Sequence, residues 1–257
     1  QMIERFRLGE KYGLENGDVE YSFYNGAIRI FFEFMCGDHL SETHEKCVNI
    51  LKEISNHKQA QTHIMMSIMS QGIYNLCAKS RPQLEFDGPF YKDEEVVTAI
   101  ENGNHANIFL ILFWKSFVAA IFKKQDEFEV LTLKYKKYAN QGVGVYSFYL
   151  IDFYFNLGAI RMAKKNPSKA RYHLRSYRKT LNLFRKFANH QRDNYQNKYF
   201  FLLAEWHFFK GNLEKCMEYF EKTIQTSMES KFFYDQALAY ERMGEIFLIL
   251  NNLFLAR

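Results

Sequence analysis

Apolar residues recur every three or four positions along most of the 257-residue chain, and the runs that keep this spacing are separated by short polar or glycine-bearing breaks. The pattern predicts helices over residues 1–13, 18–36, 41–56, 59–79, 94–101, 104–124, 127–139, 145–165, 168–189, 194–210, 213–229 and 233–250. The one long interruption is Ser80 to Tyr91, where Pro82, Gly88 and Pro89 break helix and Leu84-Glu85-Phe86 is free to run extended. An ordered loop packed across the helices is expected there.

The helices come in similar pairs. In Phe200-x2-Leu203-Ala204-x2-His207, then Gly211-Asn212-Leu213-x2-Cys216-x3-Phe220, a helix with a small residue in mid-face is followed by a tight turn and a second amphipathic helix. The frame returns as Tyr240-x2-Met243-Gly244-x2-Phe247, then Asn251-x-Leu253-x2-Ala256, and earlier as Tyr154-x2-Leu157-Gly158, then Pro167-x2-Ala170-x3-Leu174. Gly158, Ala204 and Gly244 stand 46 and 40 residues apart, and Ala170, Cys216 and Ala256 repeat both spacings. Helices approach closely only where a side chain is small, so a small residue at a fixed place in each pair marks a crossing. Weaker copies run from Ala119 to Tyr135 and from Tyr21 to Leu51.

This layout resembles the tetratricopeptide repeat. The expected fold is all-α, a tetratricopeptide-like α-solenoid of stacked antiparallel helical hairpins. We expect one helical-repeat segment over 1–257, with looser repeats over 1–140 and clearer ones over 145–257. The chain opens at Gln1 and closes at Arg257 within what reads as a helix start, so it is expected to be an internal segment of a larger protein.

Composition supports helix and a large core: 47% of residues are hydrophobic, 18% are aromatic, and only three are proline, which excludes a disordered chain. The longest apolar stretches, such as Ile108 to Trp114, fall short of the roughly 20 residues that span a bilayer, and no secretory leader is present. Four cysteines are too sparse for a disulfide scaffold at this length, which suits a cytoplasmic location, including a large signalling or cytoskeletal assembly.

Neither GxxxxGK[ST] nor GxGxxG after a strand occurs, and Gly142-Val143-Gly144 reads as an interhelical turn. The eight histidines are scattered, with no Ser-His-Asp or Cys-His arrangement. His207, between Trp206 and Phe208, reads as a packed histidine and Trp206 as core or inter-repeat packing. Cys36-x2-His39-x4-His44-x2-Cys47 places four possible zinc ligands within twelve residues, but at no standard finger spacing, and a turn at Gly37-Asp38 sets the cysteines on two helices. No catalytic, cofactor-binding or metal residues are therefore assigned.

One feature rises above packing. Between Arg161 and Arg192 there are eleven Lys or Arg residues and no Asp or Glu, although the whole chain is only +5. On a helix over about 168–189, Arg171, Arg175, Arg178, Lys179, Arg185 and Lys186 recur at three-, four- and seven-residue spacing and share a face, while Leu181 and Phe184 point elsewhere. Two readings stand: a docking strip for an acidic protein tail, a phosphorylated segment or nucleic acid, or a solvated face neutralised by acidic neighbours in a full assembly. A nucleic-acid reader built from α-repeats needs basic readers in every repeat, and only one hairpin is strongly basic.

The order of several segments resembles the tetratricopeptide-like region that follows the AAA/STAND-type ATPase module in large multidomain signalling proteins. They are Gly9-x2-Tyr12-Gly13-Leu14-x-Asn16-Gly17-Asp18-x-Glu20-Tyr21-x3-Asn25, Leu84-x2-Asp87-Gly88-x-Phe90-x3-Glu94-Glu95, and Ala204-Glu205 with Gly211-x4-Cys216-Met217-x2-Phe220-x2-Thr223-Ile224. Such proteins include multi-sensor kinases and relatives of soluble adenylyl cyclases. The resemblance implies a non-catalytic interaction and regulatory scaffold that couples the ATPase-like module to a kinase or nucleotide cyclase. Its expected partners are flanking domains of the same chain and acidic or phosphorylated proteins, rather than membranes or nucleic acid. The alternative is a structural rung of a permanent assembly.

Overall fold

The computed structural model describes residues 2–77, 84–92, 94, 103–138, 146–165 and 167–250. Eleven helices and no strand occur among the described residues: α1 (Met2–Glu15), α2 (Val19–Cys36), α3 (Leu40–Asn56), α4 (Ala60–Cys77), α5 (His105–Ile121), α6 (Gln125–Lys137), α7 (Tyr146–Lys165), α8 (Ala170–His190), α9 (Arg192–Phe209), α10 (Leu213–Glu229) and α11 (Phe233–Ile249). All but Glu94 of the helix expected over 94–101, the Gly142-Val143-Gly144 turn and the repeat copy from Asn251 to Ala256 lie outside the described residues.

Several boundaries follow from local chemistry. Asp18, Asn104 and Asn212 cap α2, α5 and α10, each side chain accepting from the backbone N–H three residues on. Between α9 and α10, Gly211 takes φ 75°, a left-handed conformation cheap only for glycine, and the Asn212 N–H reaches back to the His207 carbonyl at 2.9 Å. The Gly211-Asn212 pair thus ends one helix and starts the next.

The chain divides into two compact units, Gln1–Ile151 and Asp152–Arg257. Within each, consecutive helices pack as neighbouring pairs. The fold is all-α, a solenoid-like repeat of helical hairpins.

In the first unit, α1 crosses α2 where Gly13 faces Ser22; a Cβ added at Gly13 would lie 2.8 Å from that of Ser22. Phe31 and Phe34 of α2 meet Phe113, Trp114 and Phe117 of α5 in edge-on and tilted contacts. Gly72 of α4 leaves room for the Trp114 ring, since a Cβ there would come within 2.5 Å of it. Burying such rings stabilises by about 1.5–3 kcal/mol each, and this cluster holds α2, α4 and α5 together.

The expected ordered loop is present over its described part, 84–92. Phe86 and Tyr91 are buried. Gln71 of α4 accepts from the Phe90 and Tyr91 amides at 3.2 and 3.3 Å, and Asn75 donates to the Glu85 carbonyl at 2.9 Å. Gly88 sits so close that a Cβ would come within 2.3 Å of the Gln71 amide.

In the second unit, α9 is central and packs against α8, α10 and α11. Phe201 and Phe220 pair across α9 and α10, Phe153 of α7 lies against Phe184 of α8, and Ala204 is fully buried. Of the other repeat-marking small residues, Gly158 and Cys216 are buried, and Ala170 and Gly244 half-buried. Two buried ion pairs join α9 to α11: Lys198 with Asp235 at 2.5 Å, and Glu205 with Arg242. Asn197 also donates to Asp235, at 2.7 Å.

Candidate protein-interaction surface

Helix α8 buries His173, Tyr177, Thr180, Phe184 and Ala188, which recur at three- and four-residue spacing along one face. Tyr177 anchors the middle, its hydroxyl donating to the Leu202 carbonyl at 2.5 Å while its ring stacks on Trp206. Burial, then the nearby Glu205 carboxylate, pushes the Tyr177 hydroxyl well above the usual phenol range, so it stays a proton donor. His173 is buried with neither ring nitrogen hydrogen-bonded among the described residues.

The opposite face carries Arg171, Arg175, Arg178, Lys179, Arg185 and Lys186, all exposed. At helical geometry these six fall within an arc of about 120° and a length of about 22 Å. None of them forms an ion pair with a carboxylate among the described residues. Arg178 rests over the Trp206 ring at 5.3 Å from its centroid, and Lys210, just past the end of α9, lies over the same ring at 4.9 Å. Beside this face, Ser168, Arg171, Tyr172, Leu174, Arg175 and Arg178 line an open depression.

Other cations of the basic stretch are used differently. Arg161 reaches Glu205 and Glu245 at 3.8 and 3.6 Å, Lys164 lies over Phe208 at 4.5 Å, and Arg192 bonds Gln196 at 2.7 Å. Of the six exposed cations of α8, Arg178 also makes a contact within the fold, over Trp206.

Local rules do not favour this helix. Its first turn has no acid, its N-cap Lys169 makes no side-chain capping bond, and it contains no carboxylate. Arg171–Arg175 and Arg175–Lys179 are like-charged pairs one turn apart, each costing about 0.2–0.5 kcal/mol. Its helicity comes from packing Tyr177 and Phe184, so the cationic face is carried at a cost in stability.

The strip belongs to the second helix of its hairpin. The direct layer of first helices in this unit is α9 against α11, and α10, the second helix of the next hairpin, exposes Glu214, Glu218, Glu221 and Glu229 beside Lys215 and Lys222. The run of exposed cations on α8 is therefore not repeated on α10.

The four candidate zinc ligands are not gathered. Cys36 is half-buried at the end of α2, and His39 precedes α3 with Nδ1 2.8 Å from the Ser41 hydroxyl. The His44 ring packs against Tyr74 and Phe90, and Cys47 is fully buried. Burial pushes the Cys47 thiol up to about 12 despite a hydrogen bond with Ser70. Among the described residues, no three His, Cys, Asp or Glu side chains converge as metal ligands.

His207 is half-buried with its ring stacked on Tyr219 at 5.4 Å; burial, then Lys215 and Lys210, lowers its pKa. What sequence reasoning missed is the pairing of Lys198 with Asp235 and Glu205 with Arg242, and the placement of Trp206 between Tyr177, Arg178 and Lys210. A signal existed for the first: Lys198 and Glu205 are seven residues apart, and so are Asp235 and Arg242, with signs reversed.

No protein-family model matches this chain, and neither do any curated proteins or solved structures. Among the described residues, no helix is long and apolar enough to cross a membrane.

Proposed function

We propose that this chain is a non-catalytic protein-interaction and regulatory scaffold segment of a larger signalling protein, coupling an ATPase-like module to a kinase or nucleotide-cyclase output. The enzymatic half of that reading rests on the sequence resemblance alone. The interaction half rests on one observation: the outward face of α8 carries six cations and no carboxylate partner among the described residues. Uncompensated like charge on a helix that local rules already disfavour suits a surface completed by a partner.

The test is lysine-directed crosslinking with mass spectrometry on the full-length protein in its native assembly. The expected result is crosslinks from Lys179 and Lys186 to another domain of the chain or to a bound protein, lost when Arg171, Arg175 and Arg178 are changed to Glu. Native Lys179 and Lys186 that crosslink only within their own hairpin overturn the interaction reading.

A second reading, a structural rung of a permanent assembly, is favoured by one feature. Phe233, Tyr240 and Leu248 of α11 are each more than half exposed along one side of that helix. A rung of that kind aggregates when produced without its neighbours, whereas a switching segment stays monodisperse, and sedimentation separates the two.

A further inference from the structure

Resting on the interaction reading above, we infer that the outward face of α8 docks a carboxylate-rich protein helix with an apolar side chain at its edge. The length and shape of the strip carry this choice. The cations do not converge on a point; they extend over four turns in a line, and a single phosphate reaches only two or three neighbouring side chains of such a row. A partner helix with carboxylates one turn apart meets them one by one, and four of the six are arginines, whose planar guanidinium matches a carboxylate in two parallel hydrogen bonds.

The strip is not purely polar. Tyr172 on one flank and Leu174 on the other line the open depression together with Arg171, Arg175 and Arg178. Tyr172 is also among the exposed large hydrophobics of the chain. A charged row with apolar side chains at its flanks gives a docking helix both orientation and an anchor, the arrangement of an amphipathic helix read by its charged and apolar flanks.

Nucleic acid fits less well. A duplex presents phosphates well beyond the width of one helix, and α10, with Glu214, Glu218, Glu221 and Glu229 exposed against Lys215 and Lys222, offers no second basic row. A helix that keeps to α8 needs no second row.

The probe is a fluorescein-labelled 20-residue synthetic helix with glutamates at helical spacing and one leucine at their flank, titrated into the full chain and followed by anisotropy. Binding is expected to weaken by about tenfold or more between 50 and 500 mM NaCl. It is expected to disappear when the glutamates become glutamines, and to weaken by about fivefold or more when the leucine becomes serine. Arg171→Glu/Arg175→Glu/Arg178→Glu should abolish it, and Arg185→Glu/Lys186→Glu, at the far end, should reduce it without loss of helical circular dichroism. Lys215→Glu/Lys222→Glu on α10 should leave it unchanged.

Three results overturn the inference: no binding of the glutamate helix, equal binding of a peptide whose only anion is one phosphoserine, or tighter binding of a 20-base-pair duplex. If the glutamate helix fails while Lys179 and Lys186 still crosslink to a protein in the native assembly, the partner's chemistry is misassigned and the interaction reading survives. If both fail, the face is a solvated surface.

Discussion

Glu205 of α9 accepts from both Nε and Nη2 of Arg242, a residue of α11 that lies 37 positions further along the chain. The Arg242 Nη1 also donates to Glu245 at 2.9 Å, and Arg161 approaches both acids. A buried carboxylate held by two guanidinium groups is stable only while the cations remain.

Removing one partner should therefore be costly. Arg242→Met leaves Glu205, which is 1% exposed, with only the more distant Arg161, and is expected to destabilise the second unit by about 3–5 kcal/mol in urea unfolding. Glu205→Gln/Arg242→Met should recover most of that loss. If the single change costs no more than the double change, the pair has no structural weight.

Gln71 ties the 84–92 loop to α4 through two backbone amides. Gln71→Ala strands both N–H groups and is expected to cost about 1–3 kcal/mol. Hydrogen exchange at Phe90 and Tyr91 should speed up ahead of exchange in α4. Unchanged exchange at those two amides would show that the loop is held by its buried Phe86 and Tyr91 rings instead.

Glu33 gives a pH dependence with a definite sign. Burial alone would raise its pKa, but Lys46 at 2.9 Å and Arg29 at 3.0 Å hold it below its ordinary value. A carboxyl whose folded pKa is depressed stabilises fully above its unfolded value of about 4.3, and that contribution is lost as pH falls through the folded value. The stability gap between the native chain and Glu33→Gln should be widest near neutral pH and narrow below about pH 4.3. A gap that is constant down to pH 3 contradicts the assignment.

The thiols should separate by burial. Cys77 is exposed and Cys36 half-buried, whereas Cys47 and Cys216 are fully buried. Burial pushes both of the latter up to about 12, helped at Cys216 by the Glu205 charge. Under native conditions a chromogenic disulfide reagent should label Cys77 first, and Cys47 and Cys216 only on unfolding. Early labelling of Cys216 would mean that α9 and α10 open locally.

The helices were legible because their apolar spacing and their stop signals agreed: Gly211-Asn212 closed and opened helices at the residues expected, and α2, α10 and α11 match their expected spans to within a residue. The cationic row of α8 was legible for the same reason, since spacing alone sets which residues share a helical face. The α9–α11 ion pairs were not. A lysine or glutamate on a helix reads as solvated unless something marks it as buried, and the mark here is a partner 37 residues away on a helix that touches it only after the stack forms. The hold of Gln71 on its loop was hidden likewise, because amide side chains are as common on surfaces as in cores.

The weak local preferences of α8 bear on how its surface can be found. Cut out as a 21-residue peptide, the stretch from Ala170 to His190 would lack Leu202 and Trp206 to hold Tyr177, and its mutual repulsion would leave it largely coil. Its arginines would then no longer stand in a row. Peptide arrays, short-fragment screens and antibodies raised against the linear epitope would sample the charge without the shape, so a search for its partner needs the folded hairpin as bait.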